Sequence, residues 1–235
     1  MKAVCLSLVM VMLYFIHPMK AQEFFKVKAG EDPKKAIPTS VQYLYPQFQP
    51  GRVIFYNGNN TNAQLNYNLL LGEIHFVGTQ NDTLSLTNEQ LIKMIIVGKQ
   101  PFVFAPKYGY LFIEPNDSSS VRLGRKQQFR LANLEKIGAY QQSTGVSSIR
   151  TFTVFSNGNG SVQKLDPKGD VVFSKNTTYY FVDKNNSCYK ASKSSLFKIL
   201  PKYKKQITNY LQEKRPDFRN EKDLKDIIEF CRQFT

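Results

Sequence analysis

Two side chains near the middle of the sequence, Glu73 and His75, have the chemistry to bind a metal ion or to move a proton. They are separated by one residue in a segment that predicts a β-strand, and alternate residues of a strand share a face of the sheet. Two ligands are too few for a structural zinc site, and the other histidine, His17, falls in a predicted signal peptide. We therefore favour a polar pair on the solvent-exposed side of a sheet, with the chemical role as the alternative.

Two cysteines, Cys188 and Cys231, form an even pair in the part of the chain that follows the predicted signal peptide. In an exported protein such a pair predicts a disulfide, which would stabilise the fold by about 4 kcal/mol in a chain-entropy treatment. The alternative is two buried thiols that do not meet, because Cys231 also fits the apolar face of a predicted helix. The spacing leaves both interpretations open.

Six lysines lie close together near the C-terminus, with no acidic residue between the first and the last. They are Lys190, Lys193, Lys198, Lys202, Lys204 and Lys205. On a helix that packs over a sheet, several of these side chains would form a basic surface suited to anionic lipid, to lipopolysaccharide or to an acidic envelope protein. The alternative is a solvated surface that keeps an exported protein soluble, since the whole chain has a formal net charge of +14. We predict no nucleic acid partner for an exported chain.

Carboxylates offer the remaining route to catalysis. Glu73, Glu114 and Asp117 are nominal candidates for a hydrolase of glycan or cell-wall material, which needs two such groups beside the scissile bond. No spacing in the sequence pairs them. The segment 183–187 superficially resembles a calcium loop, but the positions where that loop requires glycine and glutamate hold other residues. No pattern predicts a cofactor or a metal, and we favour a protein without enzymatic activity.

The N-terminus assigns these candidates to a compartment. Lys2 precedes an apolar run from Ala3 to Ile16, and the small residue Ala21 follows. This is the layout of a secretory signal peptide, with cleavage predicted after Ala21, and the run is shorter than the roughly twenty residues that a membrane-spanning helix needs. We therefore expect an exported protein, periplasmic or secreted or associated with the outer membrane, with no transmembrane span after cleavage.

The sequence divides into a signal peptide (1–21), a β-rich domain (22–192) and a helical segment packed on it (193–235). In the β-rich domain, runs of Val, Ile, Phe, Tyr and Leu are separated by Gly, Asn, Asp and Pro, which predicts an antiparallel sheet. The runs are 52–56, 63–77, 83–86, 91–97, 101–105, 109–114, 121–131, 149–155, 171–173 and 177–183. Residues 22–50, with four prolines, predict an irregular or edge segment.

The run 63–77 shows the expected alternation of a half-buried strand. Leu65 and Tyr67 point one way, and Gln64, Asn66 and Asn68 point the other way. This pattern predicts one buried and one solvent-exposed face. Gly72 predicts a β-bulge within the same strand.

The C-terminal segment changes to a helical period. Apolar residues recur at a spacing of three or four from Leu196 to Leu211, and Pro201 fits only the first turn of a helix. We predict a short turn at 195–199, a helix from Pro201 and a second helix capped by Asn220. The predicted fold is mainly β (α+β), an antiparallel meander or open roll capped by two C-terminal helices.

Several segments together resemble a family of exported proteins from the Bacteroidetes. The resembling segments are FQPGRVIFYNG (48–58), AQLNYNLLLGEIHFV (63–77), IGAYQQSTGVSSI (137–149), LFKILPKYKKQITNYL (196–211) and EKDLKDIIEFC (221–231). They cover much of the chain after the signal peptide. The resemblance implies export, and it implies no activity, cofactor or catalytic residue, because the family has no established function.

These features favour an exported, non-enzymatic envelope or secreted protein that binds a partner through its sheet or its basic C-terminal part. One alternative is a carrier of an apolar ligand such as a lipid, held by a curved sheet rich in Phe and Tyr. The other alternative is the carboxylate-based hydrolase of glycan or cell-wall material.

Overall fold

The computed structural model describes residues 24–28, 30–114, 120–137, 143–145 and 169–234. Within these ranges twelve strands form one sheet, and every pair of neighbouring strands is antiparallel. The strands are β1 (Phe24–Val27), β2 (Gln49–Phe55), β3 (Asn60–Asn68), β4 (Glu73–Val77), β5 (Thr83–Ser85), β6 (Ile92–Val97), β7 (Gln100–Ala105), β8 (Gly109–Ile113), β9 (Arg122–Ile137), β10 (Ser143–Gly145), β11 (Gly169–Val182) and β12 (Cys188–Lys190). Their order is β1-β11-β9-β8-β7-β6-β2-β3-β4-β5, with β10 beside β9 and β12 beside β11. The structure confirms the predicted mainly antiparallel β fold.

The predicted strand 63–77 is a hairpin, which is the first difference from the sequence prediction. β3 ends at Asn68, whose side-chain oxygen accepts hydrogen bonds from the amides of Leu70 and Leu71 at 2.9 Å. Gly72 then adopts a φ of 73°, a conformation that glycine reaches without steric cost. The prediction of a bulge at Gly72 is wrong, because Gly72 belongs to the turn that connects β3 to β4. The three consecutive leucines of this turn resemble part of a strand in the sequence, but Asn68 caps them as a turn.

The second difference concerns β11, which joins the predicted runs 171–173 and 177–183 into one strand. The polar residues between the two runs continue to pair with β9, since the ladder is built from backbone groups. The register shifts between Val172 and Phe173, which marks a bulge in the long strand. The predicted strand 149–155 lies outside the described residues.

The sheet curls over one face, which we call the inner face and which carries Tyr67, Phe102 and Phe112. The rings of Tyr67 and Phe102 stack with centroids 5.5 Å apart although β2 and β6 separate their strands, so they meet across the inside of the curl. The turn after β3 also reaches β9, where the Phe129 amide donates to the Leu69 carbonyl at 2.8 Å. The opposite side is called the outer face.

The C-terminal helices pack on the inner face. They are α3 (Lys193–Ile199), α4 (Lys204–Lys214) and α5 (Glu221–Arg232), with a 3₁₀ turn at Pro201–Tyr203. Asn220 caps α5 as predicted, because its side chain accepts hydrogen bonds from the amides of Lys222 and Asp223. Leu196, Ile207 and Leu224 form one buried cluster that also contains residues of β9 and β11. None of the described helices combines the length and the apolar character needed to cross a membrane.

The N-terminal part wraps the opposite end of the sheet. Two one-turn helices, α1 (Pro33–Ala36) and α2 (Thr39–Gln42), lead into a chain that runs beside the end of β3. There the Leu44 amide donates to the Tyr67 carbonyl at 2.9 Å, and the Leu69 amide donates to the Gln42 carbonyl at 2.7 Å. We call residues 37–48 the cover segment.

Candidate functional site

Glu73 and His75 lie on one face of β4 and contact each other, as the sequence predicts. Nε2 of His75 is 3.4 Å from Oε2 of Glu73, and the Ser85 hydroxyl donates to the same oxygen at 2.9 Å. The Tyr43 hydroxyl lies 2.9 Å from Nδ1 of His75. When Nε2–H donates to Glu73, Nδ1 accepts from Tyr43. These four side chains form the polar network, which joins the cover segment to β4 and β5.

The polar network is buried, so the prediction of a solvent-exposed pair of Glu73 and His75 is wrong. Of the polar face predicted on β3, Gln64 is exposed as predicted, whereas Asn66 and Asn68 are buried. Glu73 is 5 % exposed and His75 is 7 % exposed. Asn66, on the same face of β3, is 1 % exposed and binds the cover segment: its amide nitrogen donates to the Tyr45 carbonyl at 2.8 Å, and its oxygen accepts from the Tyr45 amide at 3.2 Å. The cover segment therefore supplies the hydrogen bonds that water would otherwise provide.

The pKa of Glu73 lies below its ordinary value of 4.5. Burial acts to raise this pKa, but the hydrogen bonds from His75 and Ser85 and the electrostatic interactions with His75 and Lys34 together lower it by more. Glu73 is thus held as a carboxylate. Its second oxygen, Oε1, has no hydrogen-bond partner among the described residues.

This arrangement supports a structural role for the polar network. Among the described residues, no group of three or more His, Cys, Asp and Glu side chains is placed to hold a metal ion. A catalytic dyad must reach its substrate, and the cover segment lies over His75 and Glu73. What the network does in the fold is to fasten Tyr43 to β4.

The two cysteines are free, so the predicted disulfide between Cys188 and Cys231 is wrong for this fold. Cys188 pairs with Val182 in the sheet and shares its outer face. Cys231 lies on α5 in the cluster that covers Phe181, the neighbour of Val182 that points to the inner face. The sheet therefore stands between the two sulfur atoms. Burial raises the pKa of each thiol to about 12, which keeps both unreactive at neutral pH.

The six predicted lysines are all exposed and belong to the end of the chain that carries α3 and the start of α4. We call residues 190–205 the basic segment. The ammonium groups of Lys193 and Lys204 lie 5.4 and 5.9 Å from the ring centroid of Phe197, which places two cations beside one aromatic side chain. Among the described residues, no ion pair involves any lysine of the basic segment.

The carboxylates proposed for a hydrolase do not form a described pair. Glu73 belongs to the buried polar network, and Glu114 follows β8 and forms an ion pair with Lys225 at 3.4 Å. Asp117 lies outside the described residues. The segment 183–187 is a polar turn, in which the Asp183 carboxylate accepts hydrogen bonds from two backbone amides of its own loop.

Among the described residues, the aromatic interior leaves too little space for an apolar ligand such as a lipid. A gap of about 10 Å³ remains among the inner-face side chains near Tyr67, Phe102 and Phe112. This volume is about that of one water molecule, far below the hundreds of Å³ of a pocket for an apolar ligand. The aromatic residues of the inner face pack against each other instead.

A cleft between two hairpins is a feature that the sequence did not predict. Its volume is about 450 Å³, and it lies between the β7–β8 and β11–β12 hairpins. The cleft is lined by three lysines (Lys93, Lys107 and Lys198), three tyrosines (Tyr56, Tyr108 and Tyr189) and the polar turn 183–187 through Asn185, Asn186 and Ser187. Most of the lining comes from two short runs, 103–108 and 185–189, which are far apart in the sequence, so no local pattern predicts that they meet.

Comparison of the chain with protein-family models, with curated proteins and with solved structures finds no match in any of the three.

Proposed function

We propose that this is an exported, non-enzymatic protein that binds a phosphate-bearing anionic surface, such as lipid headgroups or lipopolysaccharide, through its basic segment. The single observation that carries the proposal is that six exposed lysines stand within residues 190–205 without an acidic residue and without an ion pair among the described residues. Near an anionic membrane surface, each lysine of such a cluster contributes about 1 kcal/mol to the free energy of binding.

The neighbouring helix shows what compensated charge looks like in the same protein. On α5, Lys225 binds Glu221 at 2.8 Å and Glu114 at 3.4 Å, and Arg232 binds Glu229 at 2.6 Å. A surface that serves only solubility can be of this mixed kind. The basic segment differs because its positive charge is left for a partner.

The basic segment is also held rigidly. Leu196 and Leu200 bury the underside of α3 and its end, and Ile207 does the same for α4. Ser192 caps α3 by accepting a hydrogen bond from the Ser195 amide at 3.2 Å. The lysines therefore project from ordered elements, so binding does not require the backbone to fold first.

The export part of the proposal rests on residues 1–21, which lie outside the described residues. It is supported by the apolar run after Lys2 and by the resemblance to exported Bacteroidetes proteins. N-terminal sequencing of protein recovered from the native cell tests it directly. A mature chain that begins at Gln22 supports export, and an intact N-terminus in the cytosol contradicts it.

Vesicle binding tests the surface proposal. The full chain after signal cleavage is mixed with vesicles of phosphatidylglycerol and phosphatidylcholine at low and at physiological salt. The triple variant Lys202→Gln/Lys204→Gln/Lys205→Gln is expected to bind roughly a hundredfold more weakly than the wild type. Its control, Lys28→Gln/Lys99→Gln/Lys222→Gln, removes the same net charge from exposed positions elsewhere.

The control triple variant is expected to weaken binding by less than about threefold, the change that the loss of long-range charge alone produces. Equal weakening by both triple variants would show that net charge, not the basic segment, attracts the vesicles. Absence of binding by the wild type at low salt would contradict the proposal altogether.

A further inference from the structure

We propose that the cleft between the β7–β8 and β11–β12 hairpins binds an acidic saccharide, a ligand that combines carboxylates with sugar rings whose C–H faces are partly apolar. This site goes beyond the surface-binding function, because it uses different elements of the fold and shares only Lys198 with the basic segment. The vesicle experiment and a saccharide-binding experiment therefore test two different sites.

The charge of the cleft calls for an anion. Lys93, Lys107 and Lys198 line it and are exposed, and no Asp or Glu is among the described residues that line it. No ion pair between described residues involves these three lysines. Three ammonium groups around one concave surface add their positive potentials, which favours a ligand with more than one negative charge.

The aromatic side chains call for a ligand with a flat, partly apolar surface. Tyr56 is 64 % exposed at the rim, and Tyr108 and Tyr189 are half-buried in the wall. The ring of Tyr108 rests against Tyr180 with centroids 4.8 Å apart, and the Lys107 ammonium lies 5.5 Å from the Tyr108 centroid. A pyranose ring presents C–H groups to such a face and hydroxyls to neighbouring amide and hydroxyl groups.

One wall of the cleft is fixed by Arg122 of β9. Its guanidinium donates to the Asp183 carbonyl and to the Asn186 side-chain oxygen, both at 2.7 Å. The Asp183 carboxylate in turn accepts hydrogen bonds from the amides of Asn185 and Ser187 at 2.9 and 2.8 Å. The polar turn is thereby held in one conformation before any ligand arrives.

The opposite wall is fixed by Lys126, which lies on the same face of β9 four residues further on. Its ammonium donates to the Tyr108 carbonyl at 2.6 Å. Between the two basic residues stands Gly124, where a Cβ atom would come within 3.0 Å of Val182. Because Arg122 and Lys126 belong to the same strand, β9 holds both walls in fixed positions, which lowers the conformational cost of binding.

The experiment measures binding of hexagalacturonate to the full chain after signal cleavage by titration calorimetry at low salt. Lys93→Gln/Lys107→Gln is expected to weaken binding about tenfold, because it removes two of the three cleft lysines. The control Lys202→Gln/Lys205→Gln removes the same charge from the basic segment and is expected to leave binding within about twofold. Fully methyl-esterified hexagalacturonate, which has the same rings without the charges, is expected to bind at least about tenfold more weakly.

A second variant tests the aromatic contact. Tyr56→Ala is expected to weaken hexagalacturonate binding about fivefold and to leave the melting temperature unchanged, since its side chain is 64 % exposed. Oligothymidylate, an anion with bases in place of sugar acids, is titrated in parallel. Three results would overturn the assignment: no binding of hexagalacturonate by the wild type, equal weakening by both lysine pairs, or binding of oligothymidylate that is tighter than that of hexagalacturonate and is lost in Lys93→Gln/Lys107→Gln. If the wild type binds hexagalacturonate but does not bind the vesicles, only the proposed surface function is contradicted.

Discussion

The polar network on β4 and the basic segment both gather polar side chains, but they find their partners in different places. In the network, His75 and Glu73 contact each other, Tyr43 and Ser85, all within the chain. In the basic segment, the lysines face solvent and no ion pair between described residues involves them. Hydrogen bonds made within the chain favour a structural role for the network, although one oxygen of Glu73 stays without a partner among the described residues. Exposed charge that forms no ion pair with the described residues can attract a ligand of opposite charge.

This difference predicts opposite responses to mutation. Changes in the network should lower the free energy of unfolding and leave ligand binding unchanged. Changes in the basic segment should weaken ligand binding and leave the free energy of unfolding unchanged. The four changes below test this, from the largest expected effect on stability to the smallest.

His75→Ala is expected to reduce the free energy of unfolding by about 3 kcal/mol. It leaves Ser85 as the one described hydrogen-bond donor to the buried Glu73 carboxylate, and it removes the His75 partner of the Tyr43 hydroxyl. Urea denaturation measures the change. The matched control is Gln64→Ala. Gln64 lies on the neighbouring strand β3, on the same face of the sheet as His75, and is exposed, so the expected effect is within about 0.5 kcal/mol. Equal stabilities of the two variants would mean that the network does not stabilise the fold.

Tyr43→Phe is expected to cost about 1 kcal/mol, since it removes one hydrogen bond and keeps the ring against His75. Thermal unfolding of the purified variant measures this smaller loss. An unchanged melting temperature would show that the cover segment is held without the Tyr43–His75 contact.

Acid should weaken the network. The pKa of Glu73 is lower in the folded protein than its ordinary value of 4.5, so its ionised form stabilises the fold above that value, and this contribution is lost as pH falls through the folded pKa. Glu73→Gln removes the titrating group. The variant should therefore lose less stability than the wild type between about pH 5 and about pH 3, measured by urea midpoints. Parallel pH profiles of the two proteins would contradict this.

Lys202→Gln/Lys204→Gln/Lys205→Gln is expected to change the free energy of unfolding by no more than about 0.5 kcal/mol, because the three side chains are exposed and form no ion pair among the described residues. Urea denaturation provides the measurement. A loss of more than about 1 kcal/mol would place these lysines among the groups that stabilise the fold.

Local features of the sequence predicted the parts of the structure that depend on local interactions. Asn220 caps α5 with its own side chain, and Pro201 lies in the first turn of the helical stretch that leads into α4, as predicted. The turn predicted at 195–199 is instead part of the helix α3. Alternation placed Leu65 and Tyr67 on the buried inner face. The cap and the proline act within a few residues, and the alternation of a strand is likewise a local pattern.

Features that depend on distant partners were not predictable. Asn66 is buried because Tyr45, which belongs to the proline-rich cover segment, returns to bind it. Cys188 and Cys231 are separated because the register of β12 on β11 places Cys188 opposite Val182 rather than Phe181. A shift of one residue would reverse that face, and no local pattern in the sequence specifies it.

The most direct test of the account is vesicle binding by three purified proteins at a temperature where all are folded: wild type, His75→Ala and Lys202→Gln/Lys204→Gln/Lys205→Gln. The account predicts that His75→Ala binds phosphatidylglycerol vesicles as tightly as the wild type despite its lower stability, while the lysine variant binds roughly a hundredfold more weakly. Weaker binding by His75→Ala with no loss in the lysine variant would contradict it.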